Sequence, residues 1–427
     1  MLKQFLLLLA CLAWLEVSAS PANTRRQSLA DIREENIREI SGYFEAKRSE
    51  LKIVKTTTHP SGQLVDWISR DSQGAIAKAP PLSLAKGGTQ GGKVTPFSKT
   101  DTEKDVPLAE LELEGAERGP EGTVPIARQD LKLITGNITL AQRMLKSPPP
   151  GLAKRQTNFA KSHWYATVSQ IVTNIGGQGV FSLFKAFVQN SNDFSLIQLG
   201  VGRTNVPSPA NPAIKILQTV EAGWINFPSQ ISQPHLFTYF TTNGYTQFGD
   251  YLSGYNRDVK GWVQVDNVLF PGTVFSPLST DGGTQYAIKL QYLLYQGNWW
   301  LFVRDRWIGY YPASLFSNNE ADASVTLAAN SDFVSFFGEV YQTETALTTT
   351  DMGSGMFPAT GWTHSAYIHN IRYASTGVGA TDVDLNPGST RTSDINRYRF
   401  EPHMLSGGSW GSYMWLGGPG AGGVVNG

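Results

Sequence analysis

The sequence predicts an all-β fold, a two-sheet antiparallel β-sandwich of jelly-roll type, preceded by a mixed, partly helical segment expected to be a propeptide. Three observations carry this expectation. Charge is unevenly spread: Ser20 to Arg155 holds 38 charged residues in 136, whereas Gln156 to Gly427 holds 30 in 272 together with 42 Phe, Trp and Tyr. A long, sparsely charged, aromatic-rich stretch can bury a large core. Within it, Tyr286 to Tyr295, Trp299 to Trp307, Phe333 to Tyr341 and Ser365 to Tyr373 are short runs rich in β-branched and aromatic residues, parted by turns such as Asp281-Gly282-Gly283 and Gly297-Asn298. No sustained helical period accompanies them, so stacked antiparallel sheets are the architecture that can cover their apolar faces.

Residues 1–19 read as an export signal: Lys3, then an apolar stretch from Phe5 to Leu15, then small residues at Val17-Ser18-Ala19. That stretch is too short to span a bilayer, and no later run reaches the roughly 18 apolar residues required. A secreted, extracellular protein is expected. The single cysteine, Cys11, falls within the signal, which leaves the exported chain without a disulfide, thiol nucleophile or thiolate ligand.

Residues 20–155 are expected to be the propeptide. Ser28 with Asp31 three residues on is a helix-start signal, followed by Leu29, Ile32, Ile40 and Phe44 near one face. The segment ends in Ser147-Pro148-Pro149-Pro150-Gly151, a stiff linker, and then the dibasic pair Lys154-Arg155, a candidate processing site lying where the composition changes. Asn137-Ile138-Thr139 is a glycosylation acceptor sequence.

Residues 156–427 form the expected catalytic domain. With 13 Lys and Arg against 17 Asp and Glu, it is slightly acidic, which argues against a nucleic-acid partner. Its only glutamates are Glu221, Glu320, Glu339, Glu344 and Glu401. Two of these, Glu221 and Glu339, lie in aromatic, strand-like runs where a carboxylate is costly unless paired or used. Strand alternation sets Glu221 on one face with Gly223 and Ile225, opposite Trp224, and Glu339 with Ser335, Phe337 and Tyr341. If both point into one groove, repulsion raises one pKa, and a carboxylate beside a carboxylic acid can activate a water without metal or cofactor. Histidines show no His-Glu-x-x-His spacing, so zinc is not expected, and Gly407-Gly408-Ser409-Trp410-Gly411 lacks the strand and helix a nucleophile elbow needs.

Several motifs occur in one order: Glu221-Ala222-Gly223-Trp224, Leu236 to Tyr245, Gly297-Asn298-Trp299-Trp300-Leu301, Ile308-Gly309-Tyr310-Tyr311-Pro312, Phe337-Gly338-Glu339-Val340, Met352-Gly353-Ser354-Gly355 and Gly417-Gly418-Pro419-Gly420. Together they resemble the neprosin domain, whose family includes a secreted, prolyl-specific glutamic peptidase. Gly122 to Ile126 is similar to the end of that family's activation peptide. The resemblance implies an antiparallel sandwich with Glu221 and Glu339 as catalytic dyad, cleavage after proline at acid pH, and a zymogen whose propeptide covers the cleft. Proline-containing proteins or peptides would be the substrates, and the propeptide the inhibitor. The cysteines common in plant members are missing here.

Bland readings stand beside these. Either glutamate could sit on a solvated sheet face, and Glu344, Glu320 and Glu401 read as surface residues. Trp224, Trp299 and Trp300 could line a proline-binding groove, although core packing is the commoner fate of a strand Trp. For Tyr239 and Tyr341, groove and core are equally open. Gln285 and Asn298 read as turn residues before oxyanion donors. Two other functions fit the same residues: a glycoside hydrolase, since paired carboxylates on a jelly roll also suit sugar cleavage, and a catalytically silent extracellular binding module.

Overall fold

In the computed structural model, residues 27–80, 116–148, 163–317, 322–377 and 379–427 are described. The export signal, Cys11, Glu320 and the Lys154-Arg155 pair lie outside them. The N-terminal region opens with helix α1 (Leu29–Ser49), capped as its sequence suggests: the Ser28 side chain accepts from Asp31 N and the Asp31 carboxylate accepts from Ser28 N. Of the four apolar residues on its expected face, Ile40 and Phe44 are buried, while Leu29 and Ile32 are exposed. Strands β1 (Ile53–Thr58), β2 (Leu64–Ser69) and β3 (Thr123–Ala127) then form a small antiparallel sheet, and a one-turn helix α2 (Leu140–Met144) leads into the extended Leu145–Pro148.

The larger part is all strand and turn. In chain order come β4 (His163–Asn174), β5 (Gly176–Ser182), β6 (Phe194–Pro207), β7 (Lys215–Phe227), β8 (Ile231–Thr241), β9 (Ser253–Tyr255) and β10 (Val263–Gln264). There follow β11 (Ala287–Tyr295), β12 (Asn298–Val303), β13 (Arg306–Pro312), β14 (Ser331–Tyr341), β15 (Ala366–Ala374), β16 (Asp382–Asp384), β17 (Ser389–Thr392), β18 (Arg399–His403) and β19 (Tyr413–Gly417). A seven-stranded sheet has the order β17-β4-β14-β6-β7-β8-β9, and a nine-stranded sheet the order β10-β13-β12-β11-β5-β15-β19-β18, with β16 beside β15.

The two sheets stack face to face as an antiparallel sandwich. Between them Phe181 meets Phe336 at 6.4 Å, Phe240 meets Tyr311 at 4.9 Å, and Trp224 Nε1 donates to Ser182 O at 2.8 Å. One segment differs from its sequence reading. Trp299 to Trp307 is not a single strand but most of a hairpin, in which Val303 pairs with Arg306 across the Arg304-Asp305 turn. Arg304 takes a φ of 60°, a conformation its side chain does not advertise. The preceding turn, with Gln296 at φ 47° and Gly297 at φ 70°, has the left-handed pair that matches hairpin twist. Gly407 to Gly411 lies in the loop between β18 and β19.

Trp224 is fully buried in the intersheet core, which corrects its reading as a groove residue. Alternation on β7 settles this, because the residue opposing Glu221 must face the other sheet. Trp224→Ala is expected to cost about 3–5 kcal/mol by cavity formation, plus the lost bond to Ser182. Urea denaturation of the full chain checks it; a loss below about 1 kcal/mol would remove Trp224 from the core.

Candidate active site

Three adjacent strands build the site. On β6, Gly200 pairs with Glu221 of β7, and Leu196 pairs with Glu339 of β14. The two carboxylates therefore share the outer face of the seven-stranded sheet, flanking the same central strand. Gln198, between Leu196 and Gly200 on that face, points up from the middle. Gly223, opposite Gln198, is small for a steric reason: a Cβ there would lie 2.1 Å from Ile197 O and 2.8 Å from the Gln198 Cβ.

Each glutamate turns Oε1 to flanking side chains and Oε2 toward the space between the pair. Oε1 of Glu221 accepts from Thr219 Oγ1 at 2.8 Å and from the Tyr245 hydroxyl in a short bond. Its Oε2 accepts from Gln198 Nε2 at 3.0 Å. For Glu339, Oε1 lies 2.8 Å from His163 Nδ1 and accepts from Tyr165 OH at 3.3 Å, while Oε2 has no hydrogen-bond partner among the described residues. Both carboxylates are buried, at 1 % and 0 % exposure.

The space between Glu221 Oε2 and Glu339 Oε2 is filled by the chain itself. Lys146, from the extended segment after α2, places Nζ 2.6 Å from Glu221 Oε2, 2.6 Å from Gln198 Oε1 and 3.4 Å from Glu339 Oε2. Its ammonium is wholly buried and stands near the rings of Phe237, Tyr239 and Phe337, at 5.2, 5.6 and 5.9 Å. Its backbone is held as well: Lys146 N donates to Tyr239 OH at 3.2 Å, and Tyr165 OH donates to Ser147 O at 3.4 Å. One nitrogen atom thus sits where a single water could touch both glutamates and Gln198.

Electrostatics follow from this arrangement. Burial on its own would raise the Glu339 pKa, but the Lys146 charge and the His163 hydrogen bond hold it below the ordinary carboxylate value. Burial first, and the neighbouring carboxylates second, push the Tyr165 and Tyr245 hydroxyls well above their usual range, so both remain donors. Among the described residues, no group of three or more His, Cys, Asp and Glu is placed to hold a metal ion.

The Neprosin family model matches residues 191–419, more than half of the chain and spanning both glutamates. The chain belongs to the neprosin family. That membership supports a peptidase. Among solved structures, the chain is similar to Scytalido-glutamic peptidase bound to a peptide-based transition state analogue, with 8 % identity, 60 % of this chain and 98 % of that chain covered, and a TM-score of 0.30. It is also similar to SCP-B, a member of the Eqolisin family of peptidases in complex with the tripeptide Ala-Ile-His, with 7 % identity, coverage of 60 % and 98 %, and a TM-score of 0.28.

In this neprosin-family chain the residues singled out from sequence scatter. Glu221 and Glu339 come together, and the Tyr239 hydroxyl accepts from the backbone N of the Lys146 that bridges them. Tyr341 stands one layer away, its ring 4.6 Å from that of His163. Trp224, Trp299 and Trp300 are buried away from the dyad, the first two in the intersheet core. Gln285 donates to the carbonyls of Thr280, Gly283 and Thr363, and Asn298 to Gln296 O, so both serve turns. Asn137 is exposed, before the Thr139 that caps α2.

Sequence reasoning missed Lys146, Gln198, His163, Tyr165 and Thr219. A strand glutamine, a lone histidine and a lysine ahead of a proline run carry no local signal; Tyr245 lay within a quoted motif without a role. The Lys146 contact predicts a pH effect. A depressed Glu339 contributes stability above the ordinary carboxylate value, lost as pH falls through the depressed one. Lys146→Met is expected to abolish that slope and to destabilise the full chain by about 3–5 kcal/mol near neutral pH, because two buried carboxylates lose their cation. Urea denaturation across pH is the measurement, and parallel curves for the two chains would contradict it.

Proposed function

We propose that this chain is a secreted glutamic endopeptidase, made as a zymogen, in which Glu221 and Glu339 activate one water for attack on a peptide carbonyl, preferentially after proline. The observation that carries the reading is the Lys146 ammonium, a single small polar group within reach of both carboxylates. In the active enzyme a water replaces it. One carboxylate takes the water's proton as its oxygen attacks the carbonyl carbon, and a carboxylic acid protonates the departing amide nitrogen. Gln198 holds the water from a third side. Thr219 and Tyr245 orient Glu221; His163 and Tyr165 orient Glu339.

The cleft's present occupant favours a peptide over a sugar. Tyr239 and Tyr165 bind a backbone N–H and a backbone carbonyl of an extended strand, and Pro148, buried two residues beyond Lys146, gives a pyrrolidine ring a place nearby. Residues 20–155 act as the propeptide, with Lys146 as the blocking side chain and Lys154-Arg155 as the processing site. Burying two carboxylates side by side requires one to carry a proton once Lys146 leaves, so activity is greatest under acid conditions and declines as pH rises far enough to ionise both.

Glu221→Gln and Glu339→Gln, each made in the processed chain, are expected to lower turnover of proline-containing peptides by about 10²–10⁴ with the fold intact by circular dichroism. Undiminished turnover in both would end the dyad assignment. Digestion of a peptide library at acid pH, with termini read by mass spectrometry, is expected to give fragments ending in proline; cuts lacking proline would remove the specificity and leave the dyad standing.

A further inference from the structure

A second stretch of the N-terminal region lies on the far side of the sandwich, away from the carboxylates. There the outer face of the nine-stranded sheet carries an aromatic cluster of Trp300, Phe302, Trp307 and Tyr310, with Leu293 and Ala374. Trp300 and Tyr310 pack at 4.5 Å, Phe302 and Trp307 at 5.1 Å. So large an apolar face is unusual on the outside of a secreted sandwich, and here the chain covers it with residues 75–80.

The cover is held as a peptide ligand would be. Ala77 and Ala79, alternate residues of an extended stretch, pack on the cluster; Lys78 between them is exposed, and Pro80 is buried. The Tyr310 hydroxyl accepts from Ala77 N at 3.1 Å and donates to Ala75 O at 3.5 Å. Just upstream, the Gln73 amide mimics a neighbouring strand: its Nε2 donates to Gln264 O at 2.8 Å and its Oε1 accepts from Gln264 N at 3.0 Å. Gln264 belongs to β10, the edge of that sheet, and an edge is the part of a sheet open to an added peptide. Among the described residues, the indole N–H groups of Trp300 and Trp307 are buried without an acceptor, two donors in the cluster left to a ligand.

We propose that the Trp300–Tyr310 face and the β10 edge form a second peptide-binding site, which residues 73–80 vacate on activation and which then takes an extended substrate segment with small residues at alternate positions followed by proline. The inference rests on the zymogen reading, since the site opens only when the N-terminal region departs. Its chemistry is that of extended, proline-containing ligands on aromatic surfaces: ring faces against small side chains and pyrrolidine, with Tyr and Trp donors to backbone carbonyls. The site tethers protein substrates and takes no part in bond cleavage.

The test uses the processed chain carrying Glu221→Gln, separated from its N-terminal region, and a fluorescent peptide of residues 72–80. Binding to the processed chain and none to the uncleaved chain, where the segment holds the site, is expected. Tyr310→Phe should weaken it about tenfold, since the hydroxyl's two backbone hydrogen bonds, one of them long, are both lost. A peptide with Ala77→Asp and Ala79→Asp, which leaves the protein untouched, should lose binding. With Glu221 restored, Tyr310→Phe should raise KM for a long proline-rich protein and leave hydrolysis of a short peptide unchanged. Absence of binding, binding indifferent to both changes, or an N-terminal region that stays on the processed chain under activating conditions would overturn the proposal. Failure of the peptidase reading is seen separately, as no hydrolysis of the short peptide by the processed chain with Glu221 intact.

Discussion

The Lys146 ammonium between Glu221 and Glu339 is the interaction on which the outer face of the seven-stranded sheet depends. Two carboxylates in one water-poor cleft repel each other and each lacks its hydration, a cost of several kcal/mol per ion. Donors alone do not remove it: Thr219, Tyr245 and Gln198 serve Glu221, yet Glu339 Oε2 is left with nothing but the cation at 3.4 Å. The lysine therefore offsets charge where hydrogen bonds cannot reach. Under the proposed function, departure of this group leaves a polar space between the two carboxylates for the attacking water.

The rest of the architecture makes that vacancy possible. Carboxylates on neighbouring strands would be held by the pleat at one fixed spacing; inserting β6 between β7 and β14 sets them two strands apart, with Gln198 rising between them. Gly200 and Gly223 keep the ground beside the glutamates low enough for this. Rigidity comes from below, where Leu199 of β6, Trp224 of β7 and Phe336 of β14 are buried in the same core as Phe181 of the opposite sheet. The strands that carry the two glutamates are thus packed on the core through their other face, which suits preorganised chemistry.

Much of this was legible in the sequence and some was not, for physical reasons. The sandwich could be read because period-two runs and Gly or Asn turns are local signals, and both glutamates could be read because a carboxylate amid strand aromatics is itself anomalous. Even then, alternation placed Glu221 opposite Trp224 without saying which face was the core. Lys146 was invisible because its meaning is entirely non-local: nothing in Leu145-Lys146-Ser147-Pro148 records two carboxylates 75 and 193 positions downstream. Gln198 and His163 were missed likewise, since polar residues in strands are ambiguous until their neighbours across the sheet are known. The Trp299 to Trp307 hairpin escaped because its turn rests on Arg304 in a left-handed conformation, with no Gly or Asn to mark it.

Acid has a second point of action in this structure, remote from the dyad. Arg143 of α2 is buried between the rings of Phe44 and Phe227 at 5.5 and 5.6 Å, and donates to Ser229 and Gln129. Burial pushes the nearby Asp258 up to about 6, with the Arg143 charge opposing that rise, and Gln129 and Gln230 donate to it. As pH falls below that value, Asp258 takes a proton and Arg143 keeps its charge without the anion that balanced it. Lys47, 2.7 Å from Asp250 at the end of α1, loses its partner at lower pH still, because that carboxyl is held below its ordinary value despite the opposing effect of burial. The contacts that seat α1 and α2 on the sandwich therefore weaken in the direction of pH that protonates one member of a buried carboxylate pair. Under the proposed function, the acid that arms the cleft also loosens the seat of the region that blocks it, alongside cleavage at the Lys154-Arg155 processing site.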